Sequence, residues 1–346
     1  MSPLVSQAIK VTAAVIVARA VLRRTNRFDF ANKTVVISGG SRGLGLEMAR
    51  CFAAEGAHLA LMARDAEELE RAGRELESRG AEVLLLRCDI RNQEDVEKNI
   101  RRVIDWKGRV DVLVNNAGVI QVGPYEHMDR DDFQSALGVH LWGPLQLMRA
   151  AIPYMKRQRG GRIVNIASFG GKVAVPHLLP YCASKFALVG LSDGIRAEIA
   201  KHGIRVTTVC PGLMRTGSHV NASFRGRHEK EFALFSITNA LPLFSVNSAR
   251  AARQIVESCR YGDPFVMIGP QARIVHLLQA VFPNLTGEVL NIVGCLLPEA
   301  VDDGHKTKQG GESRSRLAPA WLTYLSDAAI ARNNEQISRP TSSIRQ

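Results

Sequence analysis

The sequence predicts a doubly wound α/β domain, a parallel sheet with helices on both faces, over roughly residues 30–270 of 346. Three observations predict it. Seven short, β-branched apolar runs recur along that span, and longer stretches with helical spacing separate them. A glycine-rich turn stands between the first run and the first helical stretch. Alternating strands and helices imply parallel pairing through crossover helices.

The first run, KTVVIS (33–38), passes directly into SGGSRGLGLEMARCFAAEG, where glycines 39, 43 and 45 give GxxxGxG. Glycine lets a backbone approach a diphosphate closely, and a helix N-terminus supplies free amides and partial positive charge. A glycine loop alone is a weak signal. At the first strand of an alternating domain it points to a dinucleotide site and a Rossmann-like sheet. The second run, AHLALM (57–62), leads to Ala63-Arg64-Asp65. An acidic residue about 20 positions after the loop would hold a ribose 2′-hydroxyl. Asp65 stands there, but it also fits as the cap of a helix opened by Ala66-Glu67-Glu68. Arg64 at the strand tip and Arg42 in the loop would suit a 2′-phosphate. NADP(H) is therefore expected ahead of NAD(H), which stays open.

AEVLLLR (81–87), VDVLVN (110–115), GRIVNIA (161–167), IRVTTVC (204–210) and PFVMIG (264–269) complete the strands. Between the fifth and sixth lies LLPYCASKFALVGLSDGIRAEIA. Its YxxxK puts Tyr181 and Lys185 on one helix face, one turn apart. That spacing also fits a solvated face. Read chemically, it tunes an acid: a free tyrosine titrates near pH ~10, and a nearby ammonium favours the phenolate. Such a tyrosine could exchange a proton with a substrate oxygen near neutral pH.

The flanks differ from this core. Residues 4–22, LVSQAIKVTAAVIVARAVL, precede Arg23, Arg24 and Arg27. Lys10 and Arg19 interrupt the ~20 apolar residues a spanning helix needs, and Ala18-Arg19-Ala20 is a poor cleavage site. Residues 1–29 read as an apolar, basic helix that either packs on the protein or touches a membrane surface. ARIVHLLQAVFPNLTGEVLNIVGCLLP (272–298), broken at Pro283 with a turn at Gly287, reads as two short helices in an apolar 271–298 extension. Residues 299–346 read as a polar linker, a short helix within LAPAWLTYLSDAAIARNNE (317–335) and a disordered tail.

Net charge is +12, but the basic residues are scattered and aromatics are only 6%. That argues against nucleic acid as a partner. The six cysteines form no CxxC and no His/Cys cluster, so no metal is expected and a reducing cytoplasm is the simplest compartment.

With these residues in hand, the chain resembles the short-chain dehydrogenase/reductase family over about 33–270. The resemblance rests on Ser38-Gly39-xxx-Gly43-x-Gly45, Asn115-Asn116-Ala117-Gly118, Ser168, Tyr181-xxx-Lys185 and Pro211-Gly212. Ser168 precedes Tyr181 by the family's usual thirteen residues. The resemblance implies that Tyr181 is the general acid toward a carbonyl oxygen, or the base in reverse. It implies that Ser168 positions that oxygen, and that Lys185 depresses the Tyr181 pKa and binds the nicotinamide ribose. Asp89 would contact adenine. Gly39, Ser41, Arg42, Gly43, Leu44, Gly45, Arg64, Asn116 and Gly118 would line the cofactor cleft. Pro211, Gly212 and Thr216 would lie beside the nicotinamide.

One position departs from the family. His140, in SALGVHLWGPLQ (135–146), stands where the family usually has an asparagine that helps hold a water leading to the lysine. A histidine there can titrate near pH ~6.5 and join the relay, or simply pack. His140 is therefore set beside Ser168, Tyr181 and Lys185 in the expected catalytic set. The segment 218–244 is expected to shape the substrate. Phe224, Phe232, Leu234 and Phe235 beside Arg225, Arg227 and Lys230 would suit a hydrophobic ketone or alcohol, or form a plain amphipathic helix.

The expected function is an NADP(H)-dependent oxidoreductase interconverting a carbonyl and a secondary alcohol. It is expected in the cytoplasm, peripheral at the membrane at most, and homo-oligomeric. A catalytically impaired NADP-binding sensor or scaffold is the alternative, with His140 its only support. A sugar-nucleotide epimerase or dehydratase is a weaker rival, because those relatives usually carry GxxGxxG.

Overall fold

The computed structural model describes residues 23–314 and 320–335, together with 6, 7, 14, 21 and 317. The expected N-terminal segment before Arg23 falls almost wholly outside these residues, as does the tail after Glu335.

All seven expected strands form. They are β1 (Thr34–Ser38), β2 (His58–Ala63), β3 (Val83–Arg87), β4 (Val112–Asn115), β5 (Gly161–Ile166), β6 (Ile204–Pro211) and β7 (Phe265–Ile268). They make one sheet in the order β3-β2-β1-β4-β5-β6-β7. Every neighbouring pair is parallel. The strand order reverses between β1 and β4, and ligands of such sheets bind beyond the strand C-termini at that switch point.

Side chains alternate along each strand, so neighbours serve opposite layers. Val35 and Ile37 of β1 join a core with Leu46 and Phe52 of helix α1 (Gly43–Ala53) and Ile255 of α8 (Ser248–Tyr261). Leu69, Ala72 and Leu76 of α2 (Ala66–Glu77) pack on the same side. Val36 instead meets Ile100 of α3 (Gln93–Lys107) and Leu147 and Met148 of α5 (Gly143–Arg157). Both layers are buried, which is why the strands read as near-continuous apolar runs. Phe52 is wholly buried, and truncating such a side chain to Ala typically costs about 3–5 kcal/mol.

Helix α4 (Arg130–Leu137) runs without a break into a five-residue π-helical stretch, Gly138–Trp142, and then into α5. Helix α6 (Leu179–Ile199) carries the YCASK motif. After β6, Leu213–Arg215 pairs with Ser245–Asn247 on either side of α7 (His228–Ala240).

The apolar extension forms two helices, α9 (Pro270–Val281) and α10 (Pro283–Cys295). Pro283 breaks them as expected, because it starts α10, but Gly287 lies inside α10 and makes no turn. Ile274, Leu277, Val281, Phe282, Leu285, Ile292 and Leu296 of this pair are exposed. A groove of about 930 Å³ lies beneath α9, lined by Arg23, Arg253, Phe265, Arg273 and His276 among others.

The segment after 299 is not a free linker. Lys308–Gln309 pairs antiparallel with Ser223–Phe224, which pairs in turn with Gln121–Val122. Helix α11 (Ala320–Arg332) follows, and Gly217 packs against its Ile330 backbone, 2.8 Å from where a Cβ would stand.

Candidate active site

The glycine-rich loop sits at the end of β1, clamped from β4. Asn116 donates its amide to the carbonyls of Ser38 (3.2 Å) and Gly39 (2.9 Å). Its backbone N–H donates to Ser38 Oγ at 3.1 Å. A Cβ on Gly45 would collide with the Gly39 carbonyl and come within 2.6 Å of Asn116 Nδ2. Gly43 has φ +58, a conformation that a side chain disfavours. The loop is thus held tight against its neighbours and aims the first turn of α1 at the cleft. This cradle fits a dinucleotide diphosphate at a helix N-terminus. Ser41 and Leu44 are buried within it.

The two residues read for the adenosine ribose separate. Asp65 accepts from the Glu68 N–H at 2.9 Å and caps α2, so its side chain is spent on the helix. Arg64 is exposed at the tip of β2. Arg42 is already engaged: it donates to Glu68 at 2.8 Å and lies 3.5 Å from Glu335. Ser41 Oγ also donates to Glu68, at 3.1 Å. Asp89 pairs with Arg91 through contacts of 2.6–3.1 Å.

The chemistry-bearing side chains meet at the end of β5. Ser168 stands two residues beyond it, and its hydroxyl is near enough to the Tyr181 phenol to act on the phenol's pKa. Gly170 N–H donates to Ser168 Oγ at 3.0 Å and fixes that rotamer. Tyr181 and Lys185 share one face of α6, with Lys185 Nζ 5.7 Å from the Tyr181 ring centre. Lys185 is buried and donates to the Ile166 carbonyl at 2.8 Å. Below them Asn115 donates to Asn165 (2.7 Å) and Asn165 to Ser192 (2.9 Å), a buried polar link that ties β4, β5 and α6 together.

The electrostatics differ from the expected tuning. Burial pushes the Tyr181 phenol up to about 12, although Ser168 pulls the other way. Burial pushes the Lys185 ammonium down to about 7. Desolvation is the largest cause of both shifts, and the lysine donates to a carbonyl rather than to the phenol. The depressed tyrosine expected from the YxxxK spacing is absent from this structure.

His140 also differs from a titrating relay member. It is wholly buried in the π-helical stretch, and its Nε2 accepts from the Val119 N–H at 3.1 Å. Its proton therefore sits on Nδ1, which donates to Ser184 Oγ at 2.7 Å. Ser184 donates onward to the Tyr181 carbonyl at 2.8 Å. Burial, with the Lys185 charge, holds His140 well below the usual histidine range. The ring stands edge-on to Tyr181 at 5.4 Å, and its Nε2 lies 3.3 Å from the place of a Cβ on Gly118.

Pro211 ends β6, and Gly212 N–H donates to the Ile268 carbonyl at 2.9 Å. Thr216 is buried and its Oγ1 donates to Ser218 at 2.8 Å. Of the residues read as substrate-shaping, Phe224 and Phe232 are core, packed with Val122 and Ala222, while Leu234 is exposed. Among the described residues no group of His, Cys, Asp or Glu is arranged to hold a metal. None of the described helices is long and apolar enough to cross a membrane.

The sequence reading missed Ser184, Glu68 and the segment Asn333–Glu335, whose carboxylate reaches the glycine loop. Ser184 sits inside the quoted motif, three residues after Tyr181, a spacing that signals a contact back to that turn. Nothing local marks the other two.

This sheet, loop and Ser/Tyr/Lys cluster define a nicotinamide-dependent dehydrogenase or reductase. The family profile described as short chain dehydrogenase matches residues 33–225, and the chain belongs to that family. It is 35% identical over 213 residues to oxidoreductase UcpA of Salmonella typhimurium, covering 61% of this chain and 81% of that one. It is 36% identical over 197 residues to dehydrogenase/reductase SDR family member 7B of Bos taurus, covering 55% and 61%. Among solved structures it resembles the L-sorbose reductase of Gluconobacter frateurii complexed with NADPH and L-sorbose, at TM-score 0.62 and 27% identity over 70% and 96% of the chains. A metagenomic short-chain oxidoreductase in complex with NADP matches at TM-score 0.52 and 36% identity over 54% and 84%.

Proposed function

We propose that this chain is an NADP(H)-dependent oxidoreductase that interconverts a carbonyl and a secondary alcohol, with Tyr181 as the proton-transferring group. The observation that carries the reading is the convergence of Ser168, Tyr181 and Lys185 at the end of β5, with only β4 between that strand and β1, which carries the glycine loop. Gly39, Ser41, Gly43, Leu44 and Gly45 would hold the diphosphate, with Asn116 and Gly118 behind it. Lys185 would meet the nicotinamide ribose, and Pro211, Gly212 and Thr216 the nicotinamide. Asp89 would face the adenine. The bound nicotinamide supplies or accepts the hydride. Ser168 Oγ orients the substrate oxygen, and the Tyr181 hydroxyl delivers the proton to it in reduction. A phenol held near 12 keeps its proton at neutral pH, which is the form that reduction needs. The exposed Arg64 at the strand tip and the committed Asp65 favour NADP over NAD.

A panel of ketones with NADPH and of secondary alcohols with NADP⁺, followed at 340 nm, tests the reading. Turnover that disappears in Tyr181→Phe supports it. Wild-type protein that binds NADPH and turns over nothing would instead favour the cofactor-binding scaffold.

The exposed apolar face of α9 and α10 supports a second element, peripheral contact with a membrane surface. Lone weak anchors bind marginally, so this face would act with the apolar, basic N-terminal segment. Flotation with anionic liposomes tests it, and protein that stays wholly in the soluble fraction excludes it.

A further inference from the structure

Helix α11 delivers Asn333, Asn334 and Glu335 onto the glycine-rich loop. The Gly43 N–H donates to the Asn333 carbonyl at 2.9 Å. Asn334 donates to the carbonyls of Ser41 (2.9 Å) and Glu68 (3.0 Å), and Arg71 donates to Asn334 Oδ1 at 2.7 Å. Asn333 donates to the Thr216 carbonyl at 2.9 Å, so the segment spans from the glycine loop to the strand-end loop after β6. Arg50 secures its root by donating to the Arg332 carbonyl at 2.6 Å.

Glu335 reaches deepest. Only 2% of it is exposed. Its Oε1 lies 2.6 Å from where a Cβ on Gly43 would stand, in the space that glycine leaves open. Its Oε2 accepts from Asn221 at 2.7 Å, and Arg42 lies 3.5 Å away. The Glu335 carboxyl therefore fills the space over the first turn of α1, where a diphosphate would have to lie.

We propose that Asn333–Glu335 is an internal occupant of the diphosphate cradle, so that the docked segment and the dinucleotide exclude one another. The inference rests on the reading of this loop as the dinucleotide site. Its physical basis is competition for the Gly43 N–H and for the space beside it. Arg42 already lies between the carboxylates of Glu68 and Glu335. A diphosphate would add further negative charge around that guanidinium and would need the Gly43 N–H that Asn333 now holds. Either the segment leaves or the diphosphate stays out. Cofactor level would thereby set the position of the C-terminal helix, and anything that pulls this helix away would open the site.

Binding of NADPH to the full chain, read by nicotinamide fluorescence, tests this with Glu335→Ala, which removes the docked group and should release the segment, and with Glu335→Gln, which keeps its size in neutral form and should stay docked. If one wild-type molecule in ten is free of the segment, releasing it tightens the apparent Kd about tenfold. In wild type, NADPH should also speed tryptic cutting after Arg332. Equal affinity in wild type and Glu335→Ala, weaker binding in Glu335→Ala, or protection of Arg332 by NADPH overturns the proposal. The last two results would make the segment a cover over the bound cofactor. Folded proteins that bind neither NADPH nor NADH, wild type and variants alike, would overturn the dinucleotide reading itself and this inference with it.

Discussion

His140 Nδ1 lies 2.7 Å from the Ser184 hydroxyl, and with Val119 N–H fixed on the opposite nitrogen the imidazole has one tautomer and no proton to spare. The ring works as a neutral peg between the loop after β4 and the helix that carries Tyr181. It bonds that helix through Ser184, not through Lys185. We therefore expect reduction rates of wild type and His140→Asn to follow superimposable curves over about pH 5–8. An acidic limb that vanishes in the variant would restore His140 to the proton path. His140→Ala removes both bonds and opens a cavity, and a loss of about 2–4 kcal/mol in denaturant melts is expected.

Lys185 carries a measurable stability signature. Its folded value is about 7 against an ordinary 10.5. Between those two pH values the unfolded chain binds a proton that the folded one does not, so this group makes stability rise with pH across that window. Lys185→Met should flatten that slope relative to wild type while activity falls about 100-fold or more. Differences between the two proteins isolate the lysine from buried thiols such as Cys88 and Cys259, which titrate high for their own reasons. Parallel melting curves from pH 7 to 10 would mean the ammonium is solvated.

Direction of turnover should depend on pH through Tyr181. With the phenol near 12, reduction needs no deprotonation, whereas oxidation needs the phenolate. The phenolate fraction grows about tenfold per pH unit below the pKa. NADPH-driven reduction should stay nearly level from pH 6 to 8, and NADP⁺-driven oxidation should climb steeply to pH 9. An oxidation rate already level at pH 7 would place the phenol far lower.

Arg64→Asp should weaken NADPH binding by about tenfold or more and leave NADH binding little changed, since a guanidinium to 2′-phosphate contact is worth roughly 1.5–3 kcal/mol. Wild type that binds both cofactors equally would remove the basis for the NADP preference.

Glu335 gives the docked segment a pH dependence of defined sign. Burial pushes its carboxyl up to about 7, against the pull of Arg42 and with the push of Glu68; Asn221 is its neutral partner. A raised carboxyl stabilises docking fully below its ordinary 4.5, and that contribution is lost as pH rises through about 7. The ratio of NADPH dissociation constants, wild type over Glu335→Gln, should therefore fall from pH 5 to pH 8. Taking the ratio cancels titration of the cofactor's own phosphates. A constant ratio would show that the carboxyl docks without a shift.

The sheet was legible because its strands are buried on both faces, so Val35-Val36-Ile37 and their counterparts stand out as apolar runs whatever their partners. The glycine loop, the Asn116 turn, Ser168 and Pro211-Gly212 were legible because each lies within a few residues of a strand end, and YxxxK because its spacing marks one helix face. Distance and burial were not. YxxxK places two side chains on one face, but whether Lys185 pairs with Tyr181 or with the Ile166 carbonyl is decided by packing. Phe224 and Phe232 read either as substrate-facing or as part of an amphipathic helix and became core, Phe224 from a two-residue strand too short to show periodicity and Phe232 from α7. Asn333-Asn334-Glu335 read as the polar end of a helix. Its partners on the glycine loop and the strand-end loops lie more than 100 residues away in sequence, where no local pattern reaches.

The π-helical stretch Gly138–Trp142 has a consequence of phase. An α-helix turns about 100° per residue, so a single inserted position rotates everything downstream by that angle. The rod from Arg130 to Arg157 thus has two azimuths. Its upstream part turns Ala136 inward, and the stretch itself seats His140 toward Ser184. Its downstream part turns Leu147, Met148, Ala151 and Met155 onto the sheet. Deleting one residue between 138 and 142 would restore a regular helix and swing one of those faces away by roughly a quarter turn. Either the apolar stripe of α5 would lift from the sheet, or His140 would leave its hydrogen-bonding partners. This short irregularity acts as a gear between two walls that a uniform helix could not both touch, and chain length there is as constrained as residue identity.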